Sequence, residues 1–176
     1  MLTDPLPATL DVRKAAARDV TVEGVLKPKD LPRFSAMLAG ENGSIQAELR
    51  FSRDEEMRCL VDLRVEAEVV VTCQRCLEQM TTQLAAQNTL AIVSSDEQAA
   101  QLPRSLDPLI VEEQSCNLWD VVEEELILAM PAFNYHDTDA CRERIAAFSD
   151  PEPEGEVEGK PNPFDVLAQL KSSDEH

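Results

Sequence analysis

The sequence predicts an α+β fold: a mainly antiparallel sheet with a helix packed on it near residues 117–130. Three observations carry that expectation. Val61, Leu63, Val65, Ala67, Val69 and Val71 recur at every second position, and Met80, Thr82, Leu84, Ala86, Leu90 and Ile92 keep nearly the same period. Such alternation marks half-buried strands. Ile45, Ala47, Leu49 and Phe51 alternate with Gln46, Glu48 and Arg50 in a further strand. Leu118, Val122, Leu126 and Ala129 instead recur at helical spacing. Strands that follow one another across turns favour antiparallel pairing, and no long helices alternate with them, which argues against a doubly wound parallel sheet.

The elements follow in order. Leu6–Val12 reads as an edge strand and Arg13–Arg18 as a helical turn or loop. Thr21–Leu26 alternates and reads as a strand, closed by Lys27-Pro28-Lys29-Asp30. Asp30 is placed to cap a short helix with Leu31, Phe34, Met37 and Leu38 on one face, and Pro32 suits its first turn. Gly40-Glu41-Asn42-Gly43 signals a turn. Strands are expected at about 44–52, 59–72 and 80–93, with a charged break at Arg53–Glu56. Ser94–Gln98 begins a polar connection of about one helical turn, and Pro108–Glu112 reads as a short strand. Asn117 is the expected cap of the long helix, which Trp119, Val121 and Leu128 widen on its apolar side and Pro131 ends.

Cys73-Gln74-Arg75-Cys76 falls at the tip of the hairpin between the two longest strands. Two thiols separated by two residues can face one metal ion, because the backbone between them forms a tight knuckle. His136 and Cys141 supply a second candidate pair about sixty residues later. Together Cys73, Cys76, His136 and Cys141 form a candidate four-ligand site, with zinc as the candidate ion. A redox dithiol and plain structural thiols are the competing readings. A thioredoxin-like motif opens a helix after a strand, whereas strand-like sequence follows here. Cys59 and Cys116 read as ordinary, partly buried residues at element edges.

Composition narrows the functions. The chain has 176 residues, 43% of them hydrophobic, enough for one core. Its net charge is −18, unevenly spread: residues 1–75 hold 11 Lys and Arg against 13 acids, and residues 76–176 hold 5 against 21. Such acidity repels a phosphate backbone unless basic groups cluster. Any RNA contact falls to the near-neutral half, where Arg50, Arg58, Arg64 and Arg75 are the candidates; the acidic half suits basic protein partners. The single Trp119 and single Tyr135 offer little material for a base-stacking sheet. No membrane span and no leader-like start is evident, and the odd set of five cysteines suits a reducing compartment. A soluble, cytoplasmic protein is expected. Among Asp120, Glu123, Glu124 and Glu125, carboxylates three or four positions apart share a helix face and could bind a divalent cation or do acid–base chemistry, but without a His or nucleophile nearby in sequence they read as a solvated helix surface. No phosphate loop, nucleophile elbow or His-Glu-x-x-His pattern occurs.

Residues 1–148 are therefore expected to form a single α+β domain, 149–160 an acidic flexible linker, and 161–176 a short helix with a tail. Phe164, Leu167 and Leu170 recur every three residues in that helix. Alone in water such a helix is marginal, so it is expected to dock on its own domain or on a partner.

Val71-Thr72-Cys73-Gln74-Arg75-Cys76, Ser95-Asp96-Glu97-Gln98-Ala99, Val121–Pro131 and Lys160-Pro161-Asn162-Pro163-Phe164 together resemble the bacterial YceD family of large ribosomal RNA subunit accumulation proteins. The resemblance covers most of the chain in order. It implies a non-enzymatic role in production or stability of large-subunit ribosomal RNA, with a precursor RNA or a ribosome-assembly or processing protein as partner. It implies no small-molecule substrate and no catalytic residue. Three readings of function follow: an accessory factor in ribosome biogenesis, a metal-stabilised adaptor acting through protein contacts alone, or a hydrolase using carboxylates and a metal.

Overall fold

The structure, a computed structural model, describes residues 4–146; the acidic linker and Phe164, Leu167 and Leu170 lie outside them. The main sheet has five strands in the order β2-β3-β4-β5-β6. These are β2 (Thr21–Leu26), β3 (Gly43–Arg53), β4 (Cys59–Thr72), β5 (Gln79–Val93) and β6 (Asp107–Ile110). β2 through β5 pair antiparallel, whereas β6 lies parallel to β5. A two-residue ribbon joins β1 (Thr9–Leu10) to β7 (Cys116–Asn117).

Alternation decides which face is buried. Ile45, Leu49, Phe51, Val61, Leu63, Val65, Val69 and Val71 all point into the core, while their polar neighbours face outward. A one-residue slip of β3 against β4 would expose the whole set, so the core fixes the register Ala47↔Val65 and Leu49↔Leu63. Helices α1 (Val12–Ala16) and α4 (Leu118–Ala129) cover that face, with Val12, Ala15, Ala16, Leu118, Val122 and Leu126 buried against it. The short helices α2 (Pro32–Ser35) and α3 (Asp96–Ala99) lie in connections, and α5 (Asp139–Ala146) follows the loop after α4.

Several local expectations need correction. Leu6–Val12 is not one strand: only Thr9–Leu10 pairs, and Val12 opens α1 because Asp11 accepts from the Lys14 N–H as an N-cap. Asp30 does not cap α2. Its carboxylate accepts from the Lys27 N–H and closes a single 3₁₀ turn, and Leu31 stands at the α2 N-cap. Met37 falls outside that four-residue helix and is exposed. Leu128 points to solvent instead of widening the apolar side of α4.

The acidic face of α4 is not uniformly solvated either. Glu123 is buried and accepts from the backbone N–H groups of Arg33 and Phe34, at 2.7 and 3.1 Å, and from Arg33 Nε at 2.9 Å. It thereby supplies acceptors for orphan donors at the start of α2. Glu125 is also buried and accepts from Asn88 Nδ2 at 3.2 Å. Asn88 occupies an inward position of β5, so that amide meets its acceptor from the covering helix.

Candidate metal centre

The strands β4 and β5 end in a knuckle that local hydrogen bonds define. Cys73 N–H donates to Glu78 C=O at 2.8 Å, and Leu77 N–H donates to Cys73 C=O at 2.9 Å. Leu77 closes the turn in the left-handed region, at φ 62°. The segment after α4 lies against this tip: Gln74 N–H donates to Asn134 C=O at 2.8 Å. Cys141 sits in the first turn of α5, and Arg144 of the same helix forms an ion pair with Glu78.

These contacts bring all four expected donors together. One ligand atom each from Cys73, Cys76, His136 and Cys141 lies within 4.8 Å of every other. Cys73 Sγ is 3.6 Å from Cys141 Sγ, and Cys76 Sγ is 3.3 Å from His136 Nδ1. A tetrahedral ion with metal–sulfur bonds near 2.3 Å requires sulfur–sulfur edges of roughly 3.8 Å. A disulfide requires about 2.05 Å, so the observed spacing suits a shared ion and not a bond. Three thiolates and an imidazole form a donor set for a borderline-soft, four-coordinate metal.

The electrostatics of the cluster point the same way. At Cys73 burial pushes the thiol up, but the backbone N–H groups of Cys76, His136 and Arg75, with the Cys76 side chain, outweigh it and bring the thiol down to about 5. At Cys141 burial pushes the thiol up, and the neighbouring Cys73 and Cys76 sulfurs push it further. Adjacent sulfurs resist a second negative charge. A cation among them reverses that penalty, since a coordinating thiol gives up its proton.

Arg75, inside the knuckle, places its guanidinium carbon 4.9 Å from the Tyr135 ring centroid. Tyr135 in turn stacks with Phe133, the centroids 6.2 Å apart and the planes 5° from parallel. In the sequence Tyr135 stands out only for its scarcity. This arrangement depends on contact between segments sixty positions apart, which no local pattern reports.

The other candidate residues do not converge. Arg50 and Arg64 share the outer sheet face as diagonal neighbours, opposite Asp62 and Glu48 respectively. Arg64 pairs with Glu66 at 2.9 Å, and Arg58 pairs with Asp54 and Glu56 beyond the start of β4. Arg75 is at the opposite end of β4, a strand roughly 45 Å long at the usual rise per residue. Cys59 is half-buried as expected, and burial raises the Cys116 thiol, assisted by Asp120. No helix among the described residues is long and apolar enough to cross a membrane.

Comparison with known proteins identifies relatives of the chain. The family model described as large ribosomal RNA subunit accumulation protein YceD matches residues 61–171, a span containing all four donors. A relative from Haemophilus influenzae, the large ribosomal RNA subunit accumulation protein YceD, is 32% identical over 171 residues, covering 94% of this chain and 96% of its own. No solved structure matches the chain. The family model covers more than half of the chain and the relative nearly all of it, and the chain belongs to the YceD family.

Proposed function

We propose that the protein is a cytoplasmic accessory factor for accumulation of large-subunit ribosomal RNA, in ribosome biogenesis or processing, that acts by binding and not by turnover. Membership of the YceD family is the observation that carries the reading. The cluster supports a structural metal, with zinc as the ion. Four protein donors fill a tetrahedral shell, whereas a catalytic zinc keeps a position open for water or substrate. The site would clamp the hairpin tip to the loop before α5. The helix carboxylates favour binding over hydrolysis too, since Glu123 is engaged by Arg33 and backbone N–H groups and Glu125 by Asn88.

The direct ligand is a precursor RNA or an assembly or processing protein. Of the candidate RNA contacts, Arg50 and Arg75 make no ion pair among the described residues. The charge of −18 favours the second reading, an adaptor working through protein contacts with an indirect effect on RNA.

Deletion of the gene is expected to lower large-subunit relative to small-subunit ribosomal RNA, and the full chain to restore the ratio. Cys73→Ser with Cys141→Ser is expected not to restore it. Co-sedimentation with large-subunit precursors would mark direct action, and its absence the adaptor. An unchanged ratio in the deletion strain would refute the proposed role.

A further inference from the structure

The metal centre holds together more than its own ligands. Arg75 lies between Cys73 and Cys76, and Tyr135 is adjacent to His136. Pinning Cys73, Cys76, His136 and Cys141 to one ion therefore also fixes the Arg75–Tyr135–Phe133 stack. Aromatics are 4% of the chain, and Phe34 and Phe51 are fully buried. Phe133 is nevertheless 67% exposed and Tyr135 44% exposed. Scattered exposed apolar residues need no explanation, but two stacked aromatic rings beside an arginine form a patch of the composition that protein interfaces enrich. Arg75 Nη1 is buried without a hydrogen-bond partner among the described residues, so the guanidinium is held by stacking and not by an acid. The same knuckle carries Leu77, 76% exposed and in a left-handed conformation that disfavours leucine.

Charge indicates what this patch receives. Near the patch Asp137 and Glu143 are exposed and make no ion pair among the described residues, while Arg142 and Arg144 are neutralised by Asp139 and Glu78. A phosphate backbone is repelled by that field, and a basic polypeptide is drawn in. Exposed aromatic faces bind guanidinium and ammonium groups by cation–π attraction and take up aliphatic side chains.

We propose that the metal-clamped Phe133–Tyr135–Arg75 stack is a docking surface for a basic segment of a partner protein, anchored by its apolar and cationic side chains. The inference deepens the proposed binding role and rests on it, but the two are tested separately.

The probe is a short fluorescein-labelled peptide of alternating arginine and leucine, titrated into the full zinc-loaded chain and read by anisotropy. Phe133→Ser with Tyr135→Ser removes exposed side chains without altering charge, so circular dichroism should be unchanged. Binding should weaken at least about tenfold, the scale of one interfacial hot spot. Leu128→Ser, at an exposed apolar residue on α4, should leave it unchanged. Chelating the metal should weaken binding as the serine substitutions do. Equal binding by the parent and the serine variant would show attraction by net charge alone and overturn the docking surface. Tighter binding of labelled oligo-uridine, lost in the same variant, would overturn it in favour of a nucleic-acid surface. The peptide titration reads only the surface, and cellular ribosomal RNA reads only the proposed function, so either can fail alone.

Discussion

Cys73 and Cys141 place their sulfur atoms 3.6 Å apart across 68 positions of sequence. One sits at the tip of the longest hairpin, just past the end of β4, and the other in the first turn of the last described helix. That contact turns a Cys-x2-Cys knuckle into a four-donor site.

The first prediction concerns the metal. Purified protein should contain one zinc per chain, measured by mass spectrometry of the native protein. Cys141→Ala should reduce affinity by a factor of about 10 to 100 or more, since it removes a ligand and not merely its support. Burial and its sulfur neighbours raise the Cys141 thiol, and ligation requires the thiolate. Zinc binding should therefore release protons and weaken as pH falls. Affinity independent of pH would contradict ligation by Cys141.

Glu123 supplies the second. Glu123→Ala leaves the N–H groups of Arg33 and Phe34 without their acceptor and should cost about 1–3 kcal/mol, the scale of stranding buried donors, because the half-exposed Arg33 guanidinium keeps water and Glu124. Burial pushes the carboxyl up, but Arg33 and the two backbone donors outweigh it and hold its pKa below the ordinary glutamate range. A lowered folded-state pKa gives stability that is full above the ordinary range and lost as pH falls through the folded value. Urea denaturation across acidic pH should show this loss in the parent and not in Glu123→Gln.

A third prediction addresses the knuckle backbone. Leu77 holds φ 62°, where asparagine is far better tolerated than leucine. Leu77→Asn should raise thermal stability by an amount worth up to about 1 kcal/mol. A drop of more than that would show that the leucine side chain packs within this chain.

The fourth concerns Gly24 in β2. Val25 N–H donates to Asp4 C=O at 2.9 Å, which draws the N-terminal segment close over this strand. A Cβ at Gly24 would collide with the backbone of Leu6 and Pro5. Gly24→Ala should destabilise by about 1–3 kcal/mol, the usual cost of overpacking. Exchange protection of the Val25 amide should fall with it.

Much of this architecture was legible because it repeats. The strands from Gly43 to Val93 write their buried face at every second residue, and Asn117 writes the start of α4 through its bond to Trp119 N–H. The donor set was legible because thiols are few and knuckle spacing is specific. The short strand β6 was expected at Pro108–Glu112, but its parallel direction was not legible, since alternation reveals a face but not a direction. Nor was the β1–β7 ribbon, where Leu10 meets Cys116 over a length too short to show a period. Burial of Glu123 escaped because acids on a helix surface usually face water. Its partners are backbone donors 89 and 90 positions away.

The interval between the two halves of the donor set also imposes an order in time. During synthesis Cys73 and Cys76 emerge with the hairpin, while His136 and Cys141 follow some sixty residues later. At ordinary elongation rates of about 5–20 residues per second, that interval lasts several seconds. Throughout it the nascent chain carries a two-thiol half-site that cannot close a tetrahedral shell. Capture of an ion by all four donors would thus report that translation has passed Cys141, and a prematurely terminated chain would lack the proposed clamp.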